Sequence, residues 1–288
     1  MVKKIGKHLA GRIETPKGKS VAVCLGWDFD AQSTWIGGFK LKTPCHMSQG
    51  AFGAEVGVPR VLDLFEKYNI KATFFIPGHT IDTFPEICKE IVAKGHEVGH
   101  HGYIHATPAE LKYEEEVKEM KMGLESLNRI GVKPSGYRAP NWDFSKNTLK
   151  ILEEYGFIYD SSLMENDLYP YHPRPVQIHA DKGNIFGPSS KIIEIPASWY
   201  LEDWLPNQFV WGDNEGLRPV EETYQRWISI FDFAVNNCPG SVFALTNHPQ
   251  VSGRAHLIQM YERLLQHMLK SNAWFVTYGE AANAFVLH

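Results

Sequence analysis

Short runs of β-branched and aromatic residues alternate along this chain with stretches whose apolar positions recur at helical spacing. The runs predict eight strands: Val21–Leu25, Ala72–Ile76, Glu97–Gly99, Gly136–Ala139, Phe157–Ser161, Ile192–Ile195, Val242–Thr246 and Trp274–Thr277. Between them, Val58–Tyr68 reads as a helix with Val61, Leu62, Leu64 and Phe65 on one face. Pro85–Lys94 is a second helix, closed by Gly95, and Glu110–Ile130 is the longest, ending at Gly131. Ser145–Tyr155 opens on a serine cap and closes at Gly156, and Pro219–Val235 and Arg254–Leu269 complete the set. Strands alternating with helices predict an α/β fold, and eight of them predict a (β/α) barrel formed by a single domain over residues 1–288. No repeat, low-complexity segment or linker divides the chain.

Three stretches interrupt the alternation. Residues 31–54 are rich in glycine and small residues, 164–191 in proline and tyrosine, and 199–218 in tryptophan. Long connections of this kind usually form lids or binding walls. The rings of the third (Trp199, Tyr200, Trp204, Phe209 and Trp211) fit a substrate wall, or a cover over the barrel mouth or a subunit interface.

Composition narrows the function classes. The 288 residues are 43% hydrophobic and 22% charged, with a net charge of −4, ordinary for a soluble globular protein. No basic run points to nucleic acid, and no apolar stretch reaches the roughly 18–20 residues that span a bilayer. The opening Met1-Val2-Lys3-Lys4-Ile5-Gly6 is basic, but no apolar core of signal-peptide length follows, so the expected compartment is the cytoplasm. Four scattered cysteines (Cys24, Cys45, Cys88 and Cys238) form no Cys-x-x-Cys pair and read as idle thiols.

The candidate chemistry collects at the ends of the predicted strands. Asp28 and Asp30 follow the first strand, His79 the second, His101 and His105 the third; Arg138 closes the fourth and His248 follows the seventh. In a (β/α) barrel these are the ends that carry catalytic groups. His101 and His105, four apart, would face one side of a helical turn and chelate one ion, with Asp30 as third ligand. Two nitrogens and one oxygen suit Zn²⁺, with other divalent transition metals as alternatives. Such an ion lowers the pKa of a bound water toward about 7 and polarises a carbonyl, which describes a metal-dependent hydrolase. Amide hydrolysis then requires a base and an acid. Asp28 is the candidate base, or else a carboxylate that orients a histidine. His248, in Thr246-Asn247-His248-Pro249, is the candidate acid, with a fourth-ligand or structural role as alternatives. Arg138 would pair with Asp28 or bind a substrate carboxylate.

Together these residues resemble the polysaccharide deacetylase family, carbohydrate esterase family four. The family's first motif ends in a base followed by a metal-ligating aspartate; here the pair is split, as Asp28-Phe29-Asp30. Its His-x-x-x-His matches His101 and His105, its Arg-x-Pro matches Arg138-Ala139-Pro140, and its late Leu-x-x-His resembles Leu245-Thr246-Asn247-His248. The resemblance implies a distorted (β/α) barrel of seven to eight strands and Zn²⁺-dependent hydrolysis of a carbon–nitrogen amide bond. Within the family the chain looks like the cytoplasmic peptidoglycan-deacetylase-like group, which shades into cyclic imide hydrolases and allantoinase-like enzymes. Members of that group are expected to be homo-oligomers, commonly tetramers, with covered pockets. Tyr103, Trp142 and Trp199 are the candidate substrate contacts; Asn141 stands where the family places an aromatic residue.

Three functions follow as expectations. The first is N-deacetylation of an N-acetylated amino sugar or peptidoglycan-type substrate. The second is hydrolysis of a small cyclic imide or ureide by the same groups. The third is a non-catalytic barrel that binds a carbohydrate or a metal, against which the presence of both Asp28 and His248 argues.

Overall fold

The computed structural model describes residues 11–287, so the basic Met1–Gly6 opening lies outside the described residues. Strand β1 (Gly11–Ile13) is followed by the long β2 (Val21–Asp28), then β3 (Thr73–Ile76), β4 (Glu97–His100), β5 (Gly136–Tyr137) and β6 (Tyr159–Asp160). A small hairpin, β7 (Val176–Gln177) and β8 (Ile185–Phe186), precedes β9 (Ile193–Glu194), β10 (Ser241–Asn247), β11 (Ala273–Val276) and β12 (Phe285–Leu287). Seven of these strands run in parallel in the order β10-β2-β3-β4-β5-β6-β9. The eighth, β11, pairs with Val21–Cys24 of β2, while β3 pairs with the other end of the same strand, Gly26–Asp28. The curled sheet is therefore a distorted barrel. On the open side, the loop after β9 meets β10 through a parallel bridge, Glu202 with Thr246. The antiparallel pair β1 and β12 lies outside the barrel path.

β2 shows how the sequence sets the site. Every residue of this strand is buried, as expected where both faces of a parallel sheet are covered. Side chains alternate across a strand, so its odd and even positions have different surroundings. Val21, Val23, Leu25 and Trp27 join the large core that includes Val61, Leu62 and Phe65 of helix Val58–Tyr68. Ala22 and Cys24 join a smaller core with Phe75, Tyr159, Val276 and Tyr278. The inner row then continues through Gly26 to Asp28. A Cβ on Gly26 would stand 2.9 Å from Arg138 Nη1, so glycine leaves that guanidinium its place beneath the mouth.

All eight predicted strands are present, and helix Val58–Tyr68 has the expected ends. The other predicted helices appear within a few residues of their expected boundaries. Residues 31–54 are not irregular: helix Pro44–Phe52 lies there, flanked by π-helical turns at Thr34–Gly38 and Gly53–Gly57. Glycine and small polar residues hid its periodicity. Loop 199–218 carries the short helix Trp204–Asn207. The four cysteines are free, with Cys45 alone exposed. No helix among the described residues is long and apolar enough to cross a membrane.

Behind the site, Asp160 and Glu194 form a fully buried carboxyl pair on neighbouring strands. Glu194 Oε1 accepts the N–H groups of Ser162 and Leu163, each at 2.8 Å, and Ser162 Oγ donates to Asp160 at 2.9 Å. Burial raises Asp160 to about 6, and burial together with Asp160 raises Glu194. The folded state thus binds more protons than the unfolded chain, whose carboxyls titrate near 4. The stability from this pair is complete below that value and is lost as pH rises through the folded values. Glu194→Gln keeps the acceptor oxygen and gives Asp160 an N–H donor. Thermal melts should show a smaller fall in stability between about pH 5 and 8 for this variant than for wild type.

Candidate active site

The sequence-predicted residues converge at the C-terminal ends of the strands. Asp28 ends β2, and the ladder continues one step further through Phe29 N–H to Phe75 O at 2.9 Å. Phe29 joins the outer core with Trp27. Strand alternation, rather than a turn, therefore points Asp28 and Asp30 to the same side. Both are buried.

Asp30 lies at the centre. Its Oδ1 is 3.4 Å from His101 Nε2 and 3.7 Å from His105 Nε2, and its Oδ2 is 3.8 Å from His248 Nε2. One ligand atom from each of Asp30, His101 and His105 lies within 4.8 Å of the other two. Asp30 Oδ1 and His101 Nε2 are buried and have no hydrogen-bond partner among the described residues. A buried polar atom left unpaired is costly, so this gap fits an ion. His101 Nδ1 donates to the Arg138 carbonyl at 2.7 Å, which leaves the Nε2 lone pair directed at Asp30. Burial lowers His105 to about 4, keeping it the neutral imidazole a metal requires.

The two histidines do not share a helical turn, as their spacing predicts. Residues 101–105 have no helix, and His105 is brought back by left-handed backbone at Gly102 (φ 70°) and at His105 itself (φ 63°).

Asp28 meets this cluster at His101, with Oδ2 at 3.9 Å. Its Oδ1 accepts from Arg138 Nη1 at 2.6 Å. Arg138 is fully buried, donating to Ser161 O, Ser161 Oγ and the Tyr278 hydroxyl and stacking at 4.1 Å on Phe75. Of its two expected partners the structure selects Asp28. Arg138 has no exposed surface from which to touch a substrate, so its expected catalytic placement becomes one of holding Asp28.

His248 approaches from Asp30's other oxygen. Its Nδ1 lies 2.6 Å from Asp203 Oδ1, and the second Asp203 oxygen accepts from His248 N–H and from Ser252. Burial opposes a charge on His248, but Asp203, then Asp30 and Asp28, carry it up to about 10. Glu202, Asp203 and His248 also lie within 4.8 Å of one another. The carboxylate oxygens of both acids and His248 Nδ1 are already paired, since Glu202 accepts the N–H groups of Trp204 and Leu205 and Asp203 meets His248 and Ser252. That cluster is a hydrogen-bond network.

Above these groups opens a cleft of about 350 Å³. Trp142 and Trp199 form one wall, with ring centroids 4.6 Å apart. Phe39 and Trp204 stack at 5.6 Å on another, and Trp204 meets the His248 ring at 5.1 Å. Tyr103, expected against substrate, does not line the cleft. Its ring lies edge-on to His79, and its hydroxyl donates to Asp82 at 3.3 Å, turning it toward helix Gly78–Thr83. His79, counted among the strand-end residues, sits on that helix and also lies outside the lining. Asp203 was missed by sequence reasoning. Its signal was a pair of acids set among Trp199, Tyr200, Leu201, Trp204 and Leu205, where a charge needs a buried partner.

The family model described as polysaccharide deacetylase matches residues 51–159. The chain is 38% identical to a peptidoglycan deacetylase of Helicobacter pylori, over 93% of this chain and 97% of that protein. It is 34% identical to a peptidoglycan deacetylase-like protein of Gibberella zeae, over 97% and 91%. Among solved structures, a Mycobacterium smegmatis protein assigned to the polysaccharide deacetylases superposes with a TM-score of 0.84 at 32% identity, over 96% and 94% of the two chains. An allantoinase shares the fold, with a TM-score of 0.77 at 18% identity over 95% and 92%.

Proposed function

Because the chain belongs to the polysaccharide deacetylase family, we propose that it hydrolyses the N-acetyl amide of an amino sugar, with peptidoglycan-type saccharides as the substrate class and a divalent metal, Zn²⁺ first among them, as cofactor. The observation that carries this reading is the placement of two different proton carriers about one unpaired donor set. Asp28 meets the Asp30, His101 and His105 cluster at His101, and His248 meets it at Asp30.

Asp30 Oδ1, His101 Nε2 and His105 Nε2 would hold the metal, which supplies Lewis-acid polarisation and a more acidic water. The protein's own groups handle the protons. Asp28, anchored through Oδ1 by Arg138, takes the proton of the attacking water on Oδ2. As the carbon–nitrogen bond breaks, His248 gives its Nε2 proton to the departing amine, and acetate is the other product. Asp203 keeps His248 oriented and protonated for that transfer. Asp203→Asn should lower kcat by about 10–100-fold with little change in KM, the pattern of a group that acts through the acid.

The cleft suits a neutral, ring-shaped substrate. Its lining contains aromatic faces and the carboxyl groups of Glu202 and Asp213, but no lysine or arginine among the described residues. Trp142→Ala and Trp199→Ala should each raise KM by about tenfold while leaving kcat close to wild type, because they remove binding without touching the proton carriers.

The reading is tested by assaying acetate release from N-acetylglucosamine oligomers beside ring opening of succinimide and hydantoin. Acetate release is the expected result. Ring opening without acetate would assign the same groups to cyclic imide or ureide hydrolysis instead.

A further inference from the structure

His105 is the one candidate ligand whose second ring nitrogen has nothing to hold it. His101 Nδ1 is fixed by the Arg138 carbonyl, whereas His105 Nδ1 is buried and has no partner among the described residues. Metal-ligating imidazoles are normally oriented through that second nitrogen. The position of His105 must therefore come from its backbone, the loop His101-Gly102-Tyr103-Ile104-His105.

This loop has no ladder or helix of its own, so its polar backbone groups need outside partners. Gly102 N–H donates to His100 Nδ1 at 3.1 Å. The next two N–H groups, of Tyr103 and Ile104, both donate to a single oxygen, Glu119 Oε2, at 2.9 and 3.0 Å. On the other side, the Gly102 and Tyr103 carbonyls accept from Gly78 and His79 at 3.0 and 2.9 Å. His100 donates in turn to the Met120 carbonyl at 3.0 Å. Both side chains that grip the loop N–H groups are thus tied to one turn of helix Tyr113–Arg129. Successive N–H groups converging on one carboxylate oxygen form an anion-holding nest, here filled by the protein's own Glu119.

We propose that Glu119 is a positioning residue for the candidate metal centre: by gripping the middle of the loop it fixes the spacing of His105 from His101 and so sets metal affinity. The inference rests on the reading of Asp30, His101 and His105 as ligands. Glu119 is half-buried and does not line the cleft.

The test is zinc affinity by competition with a chromophoric chelator, together with Co²⁺ absorption and the melting temperature of the metal-free protein. Glu119→Ala should bind Zn²⁺ about 10–100-fold more weakly, with an altered Co²⁺ spectrum. Glu119→Asp, which keeps the charge but withdraws the acceptor by one methylene, should weaken binding similarly. Glu119→Gln retains one oxygen able to accept both N–H groups and should stay within about threefold of wild type. Wild-type affinity in both the Ala and Asp variants would overturn the proposal. So would a Gln variant as weak as the Asp variant when both metal-free proteins melt like wild type. A wild-type protein that bound no zinc would instead refute the metal site itself.

Discussion

Asp28→Asn is expected to lower kcat for acetate release by about 10²–10⁴-fold while zinc content stays at the wild-type level. Asparagine matches aspartate in shape, and its carbonyl oxygen can still accept from Arg138 Nη1. The amide nitrogen then faces His101, where the carboxylate oxygen stood 3.9 Å away, and it cannot take a proton from water. The candidate metal ligands are untouched, so metal and turnover separate. A stability cost accompanies the change, because fully buried Arg138 loses the charge that compensates it, and uncompensated buried charges cost about 3–5 kcal/mol. The melting temperature should therefore fall, and kcat is to be compared at a temperature where both proteins are folded. Full activity in Asp28→Asn would remove the base from the mechanism.

His101→Ala and His105→Ala should lose metal and activity together. Each removes one of three candidate donors, so the loss of zinc affinity should exceed the roughly 10–100-fold typical of changes behind a ligand. Turnover should fall to background even with excess zinc. The two variants differ in one respect. His101 also donates to the Arg138 carbonyl, so its loss disturbs the strand end that presents Arg138 to Asp28. His105 makes no such bond, and His105→Ala should melt nearer to wild type in the metal-free state. Zinc content and melting curves measured on the same samples check both statements.

The barrel, and the strand ends that gather most of the candidate site residues, were legible in the sequence because they depend on local pattern. A run such as Val21–Leu25, short, rich in β-branched residues and apolar on both faces, reads as a covered strand, and polar residues at its far end mark the mouth. The spacing of Asp28 and Asp30 at a strand end marked one shared site, although they share a side by strand alternation and not, as the sequence reading had it, by a turn of the backbone. The same kind of reasoning failed for His101 and His105. A spacing of four also fits a helical turn, and only the left-handed backbone at Gly102 and His105 distinguishes the loop. Tyr103, expected against substrate, is turned by this loop path toward His79 and Asp82 instead. Asp203 and Glu119 were not legible as partners. Asp203 reaches His248 across 45 residues, and Glu119 acts on backbone N–H groups, which leave no signature in side-chain pattern.

Acetate release from N-acetylglucosamine oligomers should be measured on protein stripped by a chelator and then titrated with zinc. Negligible release is expected from the stripped protein, with a rise that saturates at about one zinc per chain, as for a three-donor catalytic site with an open position. Undiminished acetate release from demonstrably metal-free protein would contradict this expectation.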